Sequence, residues 1–316
     1  MRFLITGGAG FIGSALANRL VHEGHHVRVV DNLSNSERSS LHPDVHFNRG
    51  DVNDIPLLWT MLQDVDCVYH LAARVSVAQS ILYPRDYNNV NVGGTVSLME
   101  AMRDAGVSRV ILASSGAIYG QQRQQPVPET VLPLPDSPYA VSKWAAEQYV
   151  STIGEGWGIE TVALRIFNAY GPRQSMPVSH APVVPRFLHQ AIGGGSLVIF
   201  GDGQQTRDFI YITDVVEALL QAAQVRSVGR MVINVGSGRE TSVNELSERI
   251  EEVTALPLRR VYNREKSGGV KRLVADITRA RELLQWEPTI SLAEGLALTL
   301  QEDERFHFEA NPTGTF

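Results

Sequence analysis

Thr6-Gly7-Gly8-Ala9-Gly10-Phe11-Ile12-Gly13 joins two stretches of different texture, the apolar run of residues 2–6 and an amphipathic segment that continues to about residue 23. Glycines at 7, 10 and 13 let the chain turn tightly from a strand into a helix, and let an anion come close to the backbone. A second apolar run, residues 26–31, follows and ends on Asp31. This strand, glycine turn, helix, strand order predicts a parallel βαβ unit. The unpaired N–H groups and partial positive charge at the start of such a helix suit a phosphate. Asp31, at the end of the second strand, is placed to accept hydrogen bonds from ribose hydroxyls, which makes the ligand a dinucleotide. Its carboxylate repels a 2′-phosphate, and the neutral Asn32 beside it does not offset that repulsion. NAD is therefore expected rather than NADP, with Arg38 the nearby cation that would weaken the preference.

The same alternation continues outward. Residues 45–49, 67–71, 109–114 and 160–166 read as strands, and residues 55–63, 89–105 and 138–152 as helices. The fold class is thus α/β, a Rossmann-type doubly wound parallel sheet. After about residue 168 the elements shorten and are separated by proline- and glycine-bearing loops, which predicts a smaller C-terminal substrate-binding domain. We expect residues 1–167 to bind the dinucleotide and residues 168–306 to hold mainly the substrate. Residues 307–316 read as a tail, and the strand-helix pattern within 207–237 is expected to return to the main sheet.

A chain of 316 residues with 43% hydrophobic and 20% charged residues can bury a sizeable core. Its formal net charge of -6 argues against a nucleic-acid partner. The single cysteine, Cys67, permits neither an internal disulfide nor a cysteine metal cluster, so no metal site is expected and Cys67 reads as core. The glycine motif begins too early to leave room for a secretory signal, and no apolar run is long enough to span a bilayer. A cytoplasmic protein without a membrane partner is the expectation.

Within S-P-Y-A-V-S-K, residues 137–143, Tyr139 and Lys143 stand four apart. On a helix they share one face, where an ammonium stabilises a phenolate. Lowering a tyrosine pKa from about 10 toward 7 takes roughly 4 kcal/mol of preferential phenolate stabilisation. In isolation the pair would read as an ordinary helix surface; downstream of a dinucleotide motif it reads as a tuned proton acceptor. Asp51 and Val52, after a short strand, are candidates to contact adenine. Leu71-Ala72-Ala73 ends another strand where small residues would let the backbone pass close to a cofactor.

Taken with D-N-L-S, G-D-V, H-L-A-A, A-S-S-G-A-I-Y-G, R-I-F-N-A-Y-G-P-R, T-R-D-F-I-Y-I and A-D-I-T-R-A, these motifs resemble the extended short-chain dehydrogenase/reductase family, in its nucleotide-sugar epimerase and dehydratase branch, over roughly residues 2–300. The resemblance implies that Tyr139 is the catalytic base, that Lys143 tunes it and binds the nicotinamide ribose, and that Ser115 bonds the reacting oxygen. It extends the cofactor site to Phe11, Ile12, Asn32, Ser34, Ser114 and Phe167. For the substrate it implies Ser76, Ser115, Gly116, Tyr139 and Asn168, with Val198 and Phe200 at the uracil and Arg207 on the diphosphate. The family's second arginine falls at Lys266 here, with Arg264 and Arg272 as substitutes. Leu273 falls where the family sets room around the sugar 2-substituent, and Arg74 near the sugar.

The resemblance also discriminates among reactions. Similar 4,6-dehydratases carry an acid and a base at the two positions after the catalytic Ser/Thr, where this chain has Gly116 and Ala117. Their absence favours NAD-dependent epimerisation at C4 of a UDP-sugar through a transient 4-keto species. UDP-glucose/UDP-galactose is the default pair, with N-acetyl and uronic acid forms open. The alternatives are a 4-ketosugar reductase, a dehydratase, and a dinucleotide-sensing protein without turnover. A homodimer built on the helices near 89–105 and 138–152 is a further implication.

Overall fold

The computed structural model describes residues 1–177, 180–225, 230–265 and 269–307. The first half runs β1 (Arg2–Thr6), α1 (Phe11–His22), β2 (His26–Asp31), β3 (His46–Arg49), α2 (Ile55–Met61), β4 (Cys67–His70), α3 (Val77–Leu82), α4 (Pro84–Tyr87), α5 (Gly94–Ala105), β5 (Arg109–Ser115), α6 (Pro138–Trp157) and β6 (Glu160–Ile166). The second half runs β7 (Asn168–Tyr170), α7 (Val183–Ile192), β8 (Leu197–Phe200), β9 (Thr206–Arg207), β10 (Phe209–Tyr211), α8 (Ile212–Gln224), β11 (Met231–Val235), β12 (Thr241–Ser242), α9 (Val243–Thr254), β13 (Arg260–Asn263), α10 (Thr278–Leu284) and α11 (Leu292–Glu302).

A seven-stranded sheet, in the order β3-β2-β1-β4-β5-β6-β11, is parallel throughout. Strand β1 shows why both faces are covered. Phe3 and Ile5 join one buried cluster and Leu4 the other, as side chains alternating across a doubly buried strand must. Leu58, Met99 and Val150 from α2, α5 and α6 cover the Leu4 face. On the opposite face lie Leu16 of α1 and Leu219 of α8. The direction of winding reverses between β1 and β4, so the crevice beyond their carboxyl ends is where a doubly wound sheet binds its ligand.

Beyond residue 168 the short strands form two-stranded pairs: β7 with β10, β9 with β12, and β8 with β13. Strand β11 joins the main sheet beside β6. One apolar cluster runs from Ile5 and Leu16 through to Phe187, Leu197, Ile199 and Leu246, so the two halves share a core.

Several boundaries differ from expectation. Helix α6 continues past 152 to Trp157, because Gly154 does not break it; its bare Cα lets the helix lie close to β6, and a Cβ there would sit 2.4 Å from Thr161 Cγ2. The segment 89–105 opens as a π-helical turn, Asn88–Gly93, before α5 begins. Strand β5 reaches Ser115, β4 stops at His70, and β3 starts at His46. Of the expected tail only His307 is described, and Lys266 lies outside the described residues. No described helix is long and apolar enough to cross a membrane.

Candidate active site

Strand β5 and helix α6 bring the reacting groups together. Ser137 caps α6 by accepting the Ala140 N–H at 3.2 Å, with Pro138 in the first turn, and this starts the helix where Tyr139 falls beside the end of β5. Ser115 closes β5 and caps the single 3-10 turn Gly116–Tyr119, its hydroxyl accepting the Ala117 N–H at 3.1 Å. The Ser115 hydroxyl also hydrogen-bonds the Tyr139 phenol. Tyr139 and Lys143 are both buried. Burial pushes the Lys143 ammonium down to about 8, while the Glu147 carboxylate pulls the other way.

One expectation needs correcting here. Burial raises the Tyr139 pKa, the Ser115 hydrogen bond opposes this, and Lys143 is not among the groups that move it. Spacing on the helix puts the pair on one face, but burial of the phenolate decides the direction of the shift. Lys143 faces a different neighbour, His70 at the end of β4, whose pKa is held down at about 3 by burial first and by the Lys143 charge second.

On the other side of the crevice, Gly7 has φ of +69°, and a Cβ there would lie 2.6 Å from the backbone of Ala72. A Cβ on Gly13 would stand 2.3 Å from the Gly7 carbonyl. Helix α1 therefore begins against bare backbone, with Gly10 at its cap and no side chain capping its first N–H groups. Leu71 and Ala72 run alongside, their N–H groups bonded to the Thr6 carbonyl at 3.0 Å and hydroxyl at 3.4 Å.

Residues 3–236 match the sequence profile of the NAD dependent epimerase/dehydratase family. The chain belongs to this family. It is 38% identical over 308 residues to a UDP-glucose 4-epimerase of Mycolicibacterium smegmatis, covering 95% of this chain and 98% of that one. Among solved structures it resembles a UDP-glucose 4-epimerase of Thermotoga maritima with UDP-glucose, at a TM-score of 0.91 and 39% identity, over 95% of this chain and 98% of that chain. It also resembles a UDP-N-acetylglucosamine 4-epimerase of Methanobrevibacter ruminantium in complex with UDP-N-acetylmuramic acid, at a TM-score of 0.90 and 35% identity, over 95% and 97% of the two chains.

The cradle fits the cofactor that this NAD-dependent family uses. An uncapped helix start walled by glycine backbone, where a Cβ would intrude, is suited to a pyrophosphate. Asp31 accepts the Ala9 N–H at 3.0 Å, the Leu33 N–H at 2.8 Å and the Ser36 hydroxyl at 3.0 Å, which ties the glycine turn to β2. A carboxylate has about four acceptor sites, so Asp31 retains capacity for a ribose hydroxyl. Asn32 donates to Asp51 at 3.1 Å and accepts the Ser34 N–H at 3.0 Å. Burial pushes Asp51 up, but donations from Asn53 backbone, Asn53 side chain and Asn32 outweigh it and leave its pKa lowered. Val52 packs over Gly94, where a Cβ would come within 2.3 Å of it.

Among the remaining positions, Phe167 is buried with its ring against Gly116, whose added Cβ would lie 3.0 Å from it. Ser114 is buried, Asn168 is exposed at the start of β7, and Ala73 and Ser76 lie in the loop after β4, with Ser76 capping α3. Val198 and Phe200 sit on β8, and the Arg186 guanidinium stacks 4.9 Å from the Phe200 ring centre. Arg207 donates to the carbonyls of Thr206 and Val270, so it faces the segment that leads to buried Leu273. Arg272 is engaged with Glu240 at 2.6 Å, and Arg264 is exposed on a turn.

Four residues that sequence reading passed over also belong here. Asn91, in the π turn, accepts the Arg74 N–H at 2.8 Å, donates to the Arg74 carbonyl at 3.0 Å, and donates to Ser142 at 2.8 Å, whose hydroxyl reaches the Tyr139 carbonyl at 2.7 Å. His70 is held between Thr6 at 2.7 Å and Thr95 at 2.9 Å. The π turn could not be read from periodicity, whereas Glu147 stands one visible helical turn past Lys143.

Proposed function

We infer that this protein is an NAD-dependent nucleotide-sugar 4-epimerase acting on a UDP-sugar. The observation that carries the reading is the Ser115–Tyr139–Lys143 group packed at the crevice, beside a 116–117 turn that holds no acid or base. A side chain on Gly116 would strike the Phe167 ring, so this turn leaves little room for the proton-transfer groups that removal of water across C5 and C6 requires.

In this reading Tyr139 takes the proton of the sugar 4-hydroxyl and returns it to the other configuration, while Ser115 holds the same oxygen. Bound NAD supplies the hydride acceptor and donor at C4. Lys143, charged in its buried position, is assigned to the cofactor ribose. Gly7, Gly10, Phe11, Ile12 and Gly13 receive the pyrophosphate; Asp31, Asn32, Ser34, Asp51 and Val52 hold the adenosine; Leu71, Ala72, Ala73, Ser114 and Phe167 pass along the cofactor. We assign Ser76, Gly116 and Asn168 to the sugar and diphosphate, Val198 and Phe200 to the uracil, Arg207 and Lys266 to the diphosphate, and Leu273 to the 2-substituent. Residues 1–167 with β11 thus serve the cofactor, and most of 168–306 the substrate.

A homodimer is part of the proposal. We keep the expected pairing through the helices of 89–105 and 138–152; on the latter, α6, Val141 and Tyr149 are exposed, and Ile81 and Leu82 of the adjacent α3 extend the apolar patch that a second copy would cover. We place the enzyme in the cytoplasm, where its buried Cys67 thiol stays reduced.

The test is incubation of the purified, NAD-loaded protein with UDP-, dTDP- and GDP-sugars and resolution of the products by NMR. Inversion at C4 with no net cofactor reduction is the expected result. Accumulation of a 4-keto-6-deoxy product would overturn it.

A further inference from the structure

One helical turn beyond Lys143, α6 buries a carboxylate. Glu147 is 2% exposed, and the Arg165 side chain beside it on β6 is scarcely more accessible. Glu147 Oε1 accepts Arg165 Nη2 at 2.6 Å; Oε2 accepts Arg165 Nε at 3.2 Å and the Ser114 hydroxyl at 2.8 Å. Arg165 in turn donates to the Tyr119 hydroxyl at 2.9 Å, which donates to Asn234 on β11 at 2.7 Å. A fully bonded buried ion pair often contributes no more stability than apolar side chains of the same size. Its place in the fold is what matters here: Ser114 directly precedes Ser115, and Lys143 and Glu147 are four apart on one helix.

The titratable and charged groups facing Lys143 are few. On its own helix they are Tyr139 and Glu147. From β4 comes His70, kept neutral by burial, and from β6 comes Arg165, behind Glu147; Tyr87 of α4 faces Tyr139 rather than the lysine. Glu147 is the group whose charge supports the ammonium against burial. Taking it away would leave Arg165 an uncompensated cation in the same interior, which drives Lys143 further toward its neutral form.

We propose that Glu147 is a positioning residue that keeps Lys143 in its ammonium form and pins the Ser114–Ser115 end of β5 to α6. The proposal rests on the assignment of Lys143 and Ser115 to the reacting site made above. Through Arg165, Tyr119 and Asn234 the same carboxylate anchors that end of β5 to the far strand of the sheet.

The chain contains only three lysines, Lys143, Lys266 and Lys271, so NMR of protein labelled at lysine Cε gives a spectrum in which Lys143→Met identifies the signal of interest. Titrated as the NAD-loaded protein, Glu147→Gln is expected to lower the Lys143 midpoint by about one pH unit or more, a roughly tenfold weaker hold on the proton. The alkaline fall in kcat should shift by the same amount, with KM for the UDP-sugar little changed. Tyr119→Phe, which cuts the network at its far end, should lower the melting temperature and leave the midpoint in place. If Glu147→Gln does not fold, Glu147→Gln with Arg165→Gln removes both buried charges, and a lowered midpoint is again expected. An unmoved midpoint in the variant that folds overturns the proposal, as does an equal shift in Tyr119→Phe. The midpoint is read without turnover, so an inactive wild-type protein would overturn the proposed reaction and still leave the Glu147–Lys143 coupling to be judged.

Discussion

Tyr139 is held from two sides, by the Ser115 hydroxyl at its phenol and by Ser142 at its carbonyl. Its hydroxyl oxygen is the one atom that replacement by phenylalanine removes, since the ring stays packed near Tyr87 with centroids 6.3 Å apart. We therefore expect Tyr139→Phe to retain NAD and its melting temperature while kcat falls about 10²–10⁴-fold, the range of a lost general acid-base group. Steady-state kinetics and the cofactor content of the purified variant check this; near wild-type turnover would take Tyr139 out of its role. At this scale the residue types and their order were readable in the chain. The electrostatics were not: a spacing of four pairs Tyr139 with Lys143 on paper, while burial sets the charge of each separately and gives Lys143 its working partner in Glu147.

At the scale of elements, the glycine turn before α1 was legible because only glycine tolerates the two close approaches it makes. The Gly13 Cα lies so near the Gly7 carbonyl that a methyl group must displace backbone, not a flexible side chain. Gly13→Ala should thus cost about 1–3 kcal/mol of stability through overpacking. It should also weaken NAD binding more than it lowers the melting temperature of the ligand-free protein, which calorimetry with and without NAD would separate. The strands and their parallel order followed from apolar runs alternating with amphipathic helices. Two element-level features did not. The π turn at Asn88–Gly93 has no signature in periodicity, yet it carries the Asn91 carboxamide that clamps the Arg74 backbone in the loop after β4. Helix α6 outruns its expected end because Gly154 serves close packing against β6 and not termination.

At the scale of the whole molecule, the exposed apolar side chains on α3 and α6 form a patch that a second copy would cover. Leu82→Glu combined with Val141→Glu should convert a dimer to a monomer in sedimentation velocity without loss of bound NAD; a protein already monomeric at working concentration would remove the dimer from the proposal. The chain's own pattern determined the doubly wound sheet, the cradle for a dinucleotide and the presence of Ser115, Tyr139 and Lys143, because each depends on local steric demand or on a period of two or 3.6 residues. Only the tertiary structure decided that within 207–237 it is β11 that joins the main sheet beside β6 while β10 pairs with β7, that one core runs through both halves, and that Glu147, Arg165, Tyr119 and Asn234 form a single bonded line from α6 to β11. Those contacts join residues up to 115 positions apart, and the low dielectric that gives their charges meaning exists only once the sheet and its helices have closed around them.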